Sequence, residues 1–448
     1  MKVETVKVKA RVRNREKKYE DWQEFDTATI HHIEGFTPGT AKEEYSRYGG
    51  WKNNKKYEAT GFFHARKVGD RWWLVDPEGY LFIHKAVVHV VPGRDTETTQ
   101  KALQDKFGTK EKWAEHTLGL LRENAFNGAG AWSEVDLIRN AKEPVPYTCM
   151  WNFMNAYGKE RGGTYQLPGN TGYPNQCIFV FDPQFEEFCD RHAKQLAQLK
   201  DDPYLLGHFS DNELPFPEDL LNRYLALDKE DWGYKGARKW LDEKKGKDAG
   251  IEAIDDADRD EFIGYVADRY FEITGKAIRK YDPNHLFIGS RYHANIKFSP
   301  GGFMAAGKHL DVISINYYDV WTPRREDLAN WNRWSDKPVM ITEWYTKGAD
   351  TGMPNTGGAG WIVETQKDRG LFYQNFALTL LESKTCVGFH WFRYIDNDPN
   401  DLTTDPSNRD SNKGIVTIKF EEYVPLLEKM KEFNQEVYNL IEFMDSGN

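Results

Sequence analysis

The stretch Gly207-His208-Phe209-Ser210-Asp211-Asn212-Glu213 begins small and apolar and ends in three polar side chains. With Leu205 and Leu206 ahead of it, it reads as a short buried strand running out into Asp-Asn-Glu. A second run of this kind, Pro338-Val339-Met340-Ile341-Thr342-Glu343-Trp344, reaches another glutamate. Short continuous apolar runs mark strands buried on both faces, as in parallel sheets covered by helices.

Similar runs lie on either side. Leu81 to Val90, Ala125 to Trp132 and Val145 to Trp151 come first. Leu286 to Tyr292 and Val312 to Tyr318 lie between the two glutamates, and Val387 to Tyr394 follows them. That makes eight candidate strands, with Glu213 ending the fourth and Glu343 the seventh. Helical spacing separates several of them: Phe185, Phe188, His192, Leu196 and Leu199; Phe262, Val266, Tyr270, Ile273 and Ala277; Phe372, Phe376 and Leu380. A last helix is expected over roughly Leu426 to Phe443. The alternation predicts an α/β fold, a (β/α)8 TIM barrel. A doubly wound open sheet is the competitor, but no GxGxxG follows the first strand.

Long insertions at Asn152 to Gln176, His293 to Lys308, Tyr345 to Gly360 and Ile395 to Lys413 follow strands, so they read as βα loops on the rim where barrel sites are built. Residues 1–60 are polar and rich in Lys and Glu, with one strand expected near Val3 to Val12. They read as a short N-terminal extension packing on a barrel of residues 61–448. Phe62 to Arg66 and Arg71 to Val75 flank Val68-Gly69-Asp70, a hairpin signal, and Asp76-Pro77-Glu78-Gly79 makes the next turn. The acidic stretch Asp248 to Asp260 reads as a solvated helix start.

The 448 residues suit one decorated barrel. A net charge of −10 offers no basic face for nucleic acid. No apolar run is long enough to span a bilayer, and Met1 opens a polar segment rather than a signal peptide. The expectation is a secreted or periplasmic protein whose leader is missing here, with a cytoplasmic protein as the alternative. Aromatic residues make up 14%, including 15 Trp and 23 Tyr. Sugar-binding clefts use such rings, because the C–H face of a sugar stacks on them; a large core is the plainer use. Cys149, Cys177, Cys189 and Cys386 show neither a CxxC pair nor zinc spacing, so buried free thiols are expected, with a Cys177–Cys189 disulfide as the alternative. His31-His32 has no third ligand spaced for zinc. No metal or other cofactor is expected.

Strands four and seven lie on opposite sides of a barrel mouth, so Glu213 and Glu343 would face each other across it. Cleavage of a glycosidic bond needs such a pair. One carboxylic acid protonates the departing oxygen and the other carboxylate attacks the anomeric carbon, the two standing about 5–5.5 Å apart in the retaining version. The roles need different pKa values. A single strand-end glutamate is usually a capped or salt-bridged residue. Two at these positions, with Asn212 before the first, point to catalysis.

Asn-Glu ending strand four and Glu ending strand seven resemble the signature of the clan A glycoside hydrolases. Within that clan the chain is similar to the agarases of glycoside hydrolase family 50. The similarity is carried by Arg71-Trp72-Trp73-Leu74-Val75-Asp76-Pro77-Glu78-Gly79, His208-Phe209-Ser210-Asp211-Asn212-Glu213-Leu214, Ala359-Gly360-Trp361 through Thr365-Gln366-Lys367-Asp368-Arg369-Gly370, and Val387-Gly388-Phe389-His390-Trp391-Phe392-Arg393-Tyr394. It covers roughly residues 60 to 400. The resemblance implies retaining double displacement on the β-1,4 bonds of agarose. Glu213 would protonate the leaving group, Glu343 would form the glycosyl-enzyme, and Asn212 would hydrogen-bond the 2-hydroxyl at the cleavage point. It also implies a sugar platform at Trp391. The extension here is short where such agarases often carry an accessory domain, which bears on processivity and product size.

Other candidates follow from position. Tyr317 and Tyr318 end strand six, and one of them is expected to hydrogen-bond Glu343 and help hold it ionised. Arg291 and His293 end strand five and would support Glu343 or a polar sugar substituent. Trp361, in a Gly-rich loop, is expected to line a subsite. His390 either orients substrate or packs inward, and Trp132 either packs or binds. The expected partner is a polysaccharide or oligosaccharide. The alternatives are the same chemistry on porphyran, a mannan or a β-galactoside, and a non-catalytic carbohydrate-binding barrel. The last has no need of both carboxylates.

Overall fold

The structure is a computed structural model that describes residues 2–12, 18–39, 43–247 and 249–447. Eight short parallel strands form its centre. They are β1 (His84–Val87), β2 (Gly128–Ala129), β3 (Tyr147–Met150), β4 (Leu205–Phe209), β5 (Leu286–Gly289), β6 (Ile313–Asn316), β7 (Val339–Trp344) and β8 (Cys386–Trp391). They pair in chain order, and β8 pairs back onto β1 in parallel. The remaining seam, between β5 and β6, is bridged just beyond β5, where the Tyr292 N–H donates to Ser314 O (2.8 Å) and the Asn316 N–H to Tyr292 O (2.9 Å). The sheet is thus a nearly closed barrel. Every residue of β5, β6, β7 and β8 is buried, which is why these strands read as unbroken apolar runs rather than alternating ones.

Helices follow the strands: α1 (Lys110–Glu123), α2 (Val135–Arg139), α3 (Gln184–Ala193), α4 (Asp256–Tyr281), α5 (Pro300–His309), α6 (Arg325–Ser335), α7 (Gln366–Glu382) and α8 (Val424–Asp445). Local sequence sets their ends. Thr365 and Asp368 form a reciprocal capping box on α7, as Asp255 and Asp258 do on α4. The acidic stretch is therefore a helix start, with Asp248 itself outside the described residues. Trp344 of β7 stacks on Phe376 (4.5 Å) and Tyr373 (5.0 Å) of α7, locking strand layer to helix layer.

Against the N-terminal ends of the strands lies an antiparallel sheet of His64–Val68, Arg71–Val75 and Leu81–Phe82. The expected hairpin forms around Gly69-Asp70. The first residues depart from expectation: Val3–Arg11 pairs with a second long strand, Gln23–Ile33. Trp361–Val363 and Thr346–Gly348, from the β7–α7 connection, complete a four-stranded sheet. The second strand escapes an apolar count because its buried positions include Thr27 and Thr29. Its backbone is received by α7, where Asn375 Oδ1 accepts from the Ala28 N–H (2.8 Å) and Gln374 Oε1 from the Ile30 N–H (3.2 Å). The His293 to Lys308 insertion is another correction. It holds most of α5, whose Ser299 cap and Pro300 start it early.

All four cysteines are free and buried. Among the described residues no helix is long and apolar enough to cross a membrane.

Candidate active site

The C-terminal rim has an unusual backbone. His89, Trp132, Asn152, Glu213, Arg291 and Asp319, each just past one of β1 to β6, all have positive φ, between 49° and 69°. Non-glycine residues adopt this region at a cost, and such positions gather at functional sites. Here the kink turns each chain end sharply at the barrel mouth. Behind Glu213, the buried Asp211 carboxylate accepts from the backbone N–H of Met154 (2.7 Å) and Asn155 (3.2 Å) at the start of the helix Phe153–Arg161, and from Tyr270 Oη (2.5 Å). Burial pushes Asp211 up to about 7. It anchors the β3 loop to β4.

Glu213 and Glu343 line one cavity of about 740 Å³. Glu343 is 7% exposed. Its Oε2 accepts from Tyr318 Oη (2.7 Å), and its Oε1 pairs with Arg291 Nη2 (2.8 Å). Arg291 is wholly buried and braces the centre from behind, with Nη1 donating to Asn212 Oδ1 (3.0 Å) and Nη2 to Thr342 O (2.8 Å). Glu213 has different company. Asn316 Nδ2 donates to its Oε1 (2.8 Å), and the Asn170 amide, oriented as its neighbours require, donates to Oε2 (2.6 Å). His293 Nδ1 stands 3.9 Å away. Burial first, and then the charge of Glu343, raise Glu213 above the ordinary carboxylate range, against the opposing pull of His293. One carboxyl faces an arginine and the other is inclined to keep its proton. That is the asymmetry an acid and a nucleophile need.

Asn212 Oδ1 accepts from both Arg291 and Asn316 Nδ2 (3.2 Å), which leaves the amide NH2 for the cavity it lines. Trp132, His293 and Tyr318 also line the cavity. Four expected residues sit elsewhere. Trp391 is fully buried between β8 and α7, its Nε1 donating to Lys413 O (3.2 Å) and its ring against Trp344 (5.4 Å) and Tyr373 (5.9 Å). It is no platform here, because alternation along β8 turns His390 inward and Trp391 outward. His390 takes the inward-packing alternative, its Nε2 within 2.9 Å of His84 Nδ1. Tyr317 points out to α6 and donates to Asp327 (2.5 Å). Trp361 packs with Phe25 (4.8 Å) and Trp321 (5.8 Å) on the N-terminal sheet, while Gly358 and Ala359 before it reach the cavity.

Sequence reasoning passed over Asn316, which touches both Asn212 and Glu213, although Ile-Ser-Ile-Asn ending β6 repeats the strand-to-amide pattern of β4. It also passed over Asn170, His89, Tyr345, Phe392, Arg94, Arg393 and Lys413, all on the cavity wall. Tyr345 and Phe392, rings 5.7 Å apart, put aromatic surface on this wall, where Trp391 puts none. A smaller cavity of about 240 Å³ adjoins on the far side of Glu213, lined by Asn170, Tyr173, Gln176, Phe216 and His293 among others.

No family model matches the chain. It is similar to beta-agarase B and beta-agarase A of Vibrio sp. (strain JT0107), at 26% and 25% identity over 88% and 81% of its length. It spans only 50% and 40% of those two proteins. Among solved structures it is similar to BpGH50, at 29% identity, covering 99% of this chain and 96% of that one with a TM-score of 0.87. An exo-beta-agarase at 20% identity shares the fold, covering 90% of this chain and 68% of that one with a TM-score of 0.74.

Proposed function

We propose that the chain is a retaining glycoside hydrolase that cleaves agarose-type β-1,4 galactan bonds, with Glu213 as general acid/base and Glu343 as nucleophile. The observation that carries this reading is the asymmetric pair in one cavity. Glu343 is aimed by Arg291 and Tyr318, and Glu213 is inclined to stay protonated by burial and by Glu343. In the first step Glu213 protonates the departing oxygen while Glu343 attacks the anomeric carbon. In the second Glu213 takes a proton from the water that releases the sugar. Asn212 offers its NH2 to the ring hydroxyl beside the reacting carbon. The galactan assignment draws on the similarity to the two Vibrio agarases. A polymer of that kind suits a protein working outside the cytoplasm.

The test is to incubate the protein with agarose, porphyran and mannan, quantify the sugar ends released, and follow the anomeric configuration of the first product. Release from a red-algal galactan with retained configuration is expected. No cleavage of any such galactan would overturn the substrate, and inverted product would overturn the double displacement.

A further inference from the structure

The β8 side of the cavity wall holds a charge arrangement that the cleavage chemistry does not use. Arg393 and Lys413 line the cavity and are 3% and 1% exposed. Arg393 spends Nε on Ile395 O (2.7 Å) and Nη2 on Asp396 O (3.2 Å). Lys413 Nζ donates to Ser407 O (3.1 Å) and Asn408 Oδ1 (2.7 Å). All of these are neutral acceptors. Among the described residues neither cation has a carboxylate within 4.0 Å, whereas most buried cations are paired.

The acids nearby are engaged elsewhere. Asp405 accepts from Gly169 N (2.7 Å), Gln166 Nε2 (2.8 Å), Ser407 N (2.7 Å) and Ser407 Oγ (2.6 Å). Asp396 accepts from Tyr423 Oη (2.6 Å), Gly414 N (2.8 Å) and Asn412 Nδ2 (2.9 Å). Asp401 accepts from Thr403 and faces Arg94 at 3.5 Å. Glu343 belongs to Arg291 and Tyr318, and Glu134 stands exposed on the cavity rim. More positive charge adjoins: Arg94 on the wall and Lys347, 1% exposed, behind it.

We infer that the Arg393–Lys413 wall takes an anionic substituent, a sulfate ester or a carboxylate, on the sugar bound beside Glu343. The placement beside Glu343 follows from contacts. Lys413 lies over the Tyr345 ring (5.1 Å), which packs against Tyr318 (5.3 Å), which bonds Glu343. An incoming anion supplies the counter-charge the protein withholds. Burial first and then neighbouring cations hold Lys413 well below its ordinary value and Arg393 down to about 9, so a negative charge bound between them would favour both charged forms. The inference rests on the cavity being the sugar-cleaving site and names the class of sugar it favours.

The experiment measures binding of galactose, its 2-, 4- and 6-sulfates, and galacturonate to the wild-type enzyme by calorimetry. The kcat/KM on agarose and porphyran oligosaccharides of equal length is measured beside it. At least one charged sugar should bind about tenfold or more tighter than galactose, the scale of a desolvated charge contact, and the arms tell sulfate from carboxylate. Lys413→Met and Arg393→Met should pull the charged-to-neutral ratio toward one, while Lys413→Arg keeps it. Equal binding of galactose and every charged sugar overturns the inference, and that comparison needs no variant to fold. Cleavage of neutral galactan without a charged preference sinks the anion wall alone. Tighter binding of a charged sugar without cleavage of any galactan supports the wall and sinks the hydrolase reading.

Discussion

His208 and Glu213 lie on the same short run of chain, one within β4 and one just past it, and their surroundings follow opposite plans. His208 Nδ1 accepts from Trp151 Nε1 (2.9 Å), and its Nε2 meets Asp282 Oδ2 (2.8 Å). Asp282 also bonds His285 Nδ1, whose other ring nitrogen reaches Asp202 O (2.8 Å). Two histidines and an aspartate this close have the composition of a metal site. Yet every ring nitrogen is already in a hydrogen bond and all three side chains are sealed from solvent. At the other end of the run, Glu213 and Glu343, though held by Asn316, Asn170, Tyr318 and Arg291, line a cavity with the Asn212 NH2 turned to it, and buried His89 Nε2 on the same wall has no partner among the described residues. A closed network stabilises; an open one waits for a ligand.

The largest test of this contrast is Glu343→Ala. If Glu343 is the nucleophile, its loss should lower kcat by roughly 10⁴-fold or more, the scale seen when a nucleophile is removed, and, because it leaves the buried Arg291 unpaired, the melting temperature should fall as well. Added azide should restore turnover as a glycosyl azide of opposite anomeric configuration. Near-normal rates in the variant would remove Glu343 from the chemistry. Glu213→Gln comes next, at about 10² to 10⁴-fold on polymer and less on aryl glycosides with good leaving groups. Because burial and then Glu343 raise Glu213, its acid form persists to higher pH than that of an ordinary glutamate, and wild-type kcat/KM should fall as pH rises through its titration. That alkaline limb should vanish in the variant on activated substrates; an unchanged limb assigns it to another group.

Asp282→Asn probes the closed end. It places an amide against histidine N–H groups, and breaking a buried charge cluster costs about 3–5 kcal/mol, read as a fall in melting temperature. The kcat of the folded fraction should hold. Burial alone would raise Asp282, but the hydrogen bonds from His208 and His285 outweigh it and the carboxyl lies below its ordinary range. A depressed carboxylate stabilises above its unfolded pKa of about 3.9 and loses that contribution as pH falls further. The gap between wild type and variant should therefore narrow below about pH 4. A kcat loss comparable to that of Glu343→Ala would mean the two ends are coupled.

How much of this was legible follows from the same physics. Parallel strands buried on both faces leave short unbroken apolar runs, so all eight were visible in order, and Glu213 and Glu343 stood out where the runs stopped. Alternation at strand ends was harder to read. Nothing in His390-Trp391 says which ring turns inward until β8 is paired with β1 and β7. The rim kinks were invisible, because His89, Trp132, Asn152, Glu213, Arg291 and Asp319 occupy left-handed positions without glycine to announce them. The cationic wall joins Arg94, Arg393 and Lys413 from two separate loops, a proximity that only closure of the barrel creates.

Tyr317 and Tyr318 reduce the comparison to adjacent residues. Both are buried phenols at the end of β6, but Tyr318 donates to Glu343 while Tyr317 donates to Asp327 of α6 and packs on Trp331. Removing a hydrogen bond to a charged group costs about 1.5–3 kcal/mol. At Tyr318 that cost should fall on catalysis, lowering kcat roughly 10- to 100-fold with little change in melting temperature. At Tyr317 it should fall on the barrel-to-helix contact, lowering the melting temperature with kcat nearly intact. Tyr318→Phe and Tyr317→Phe, each measured for both kcat and melting temperature, separate the two roles. Equal kcat losses from the pair would mean that the outward contact also sets the site, and the division between open and closed networks would not hold along β6.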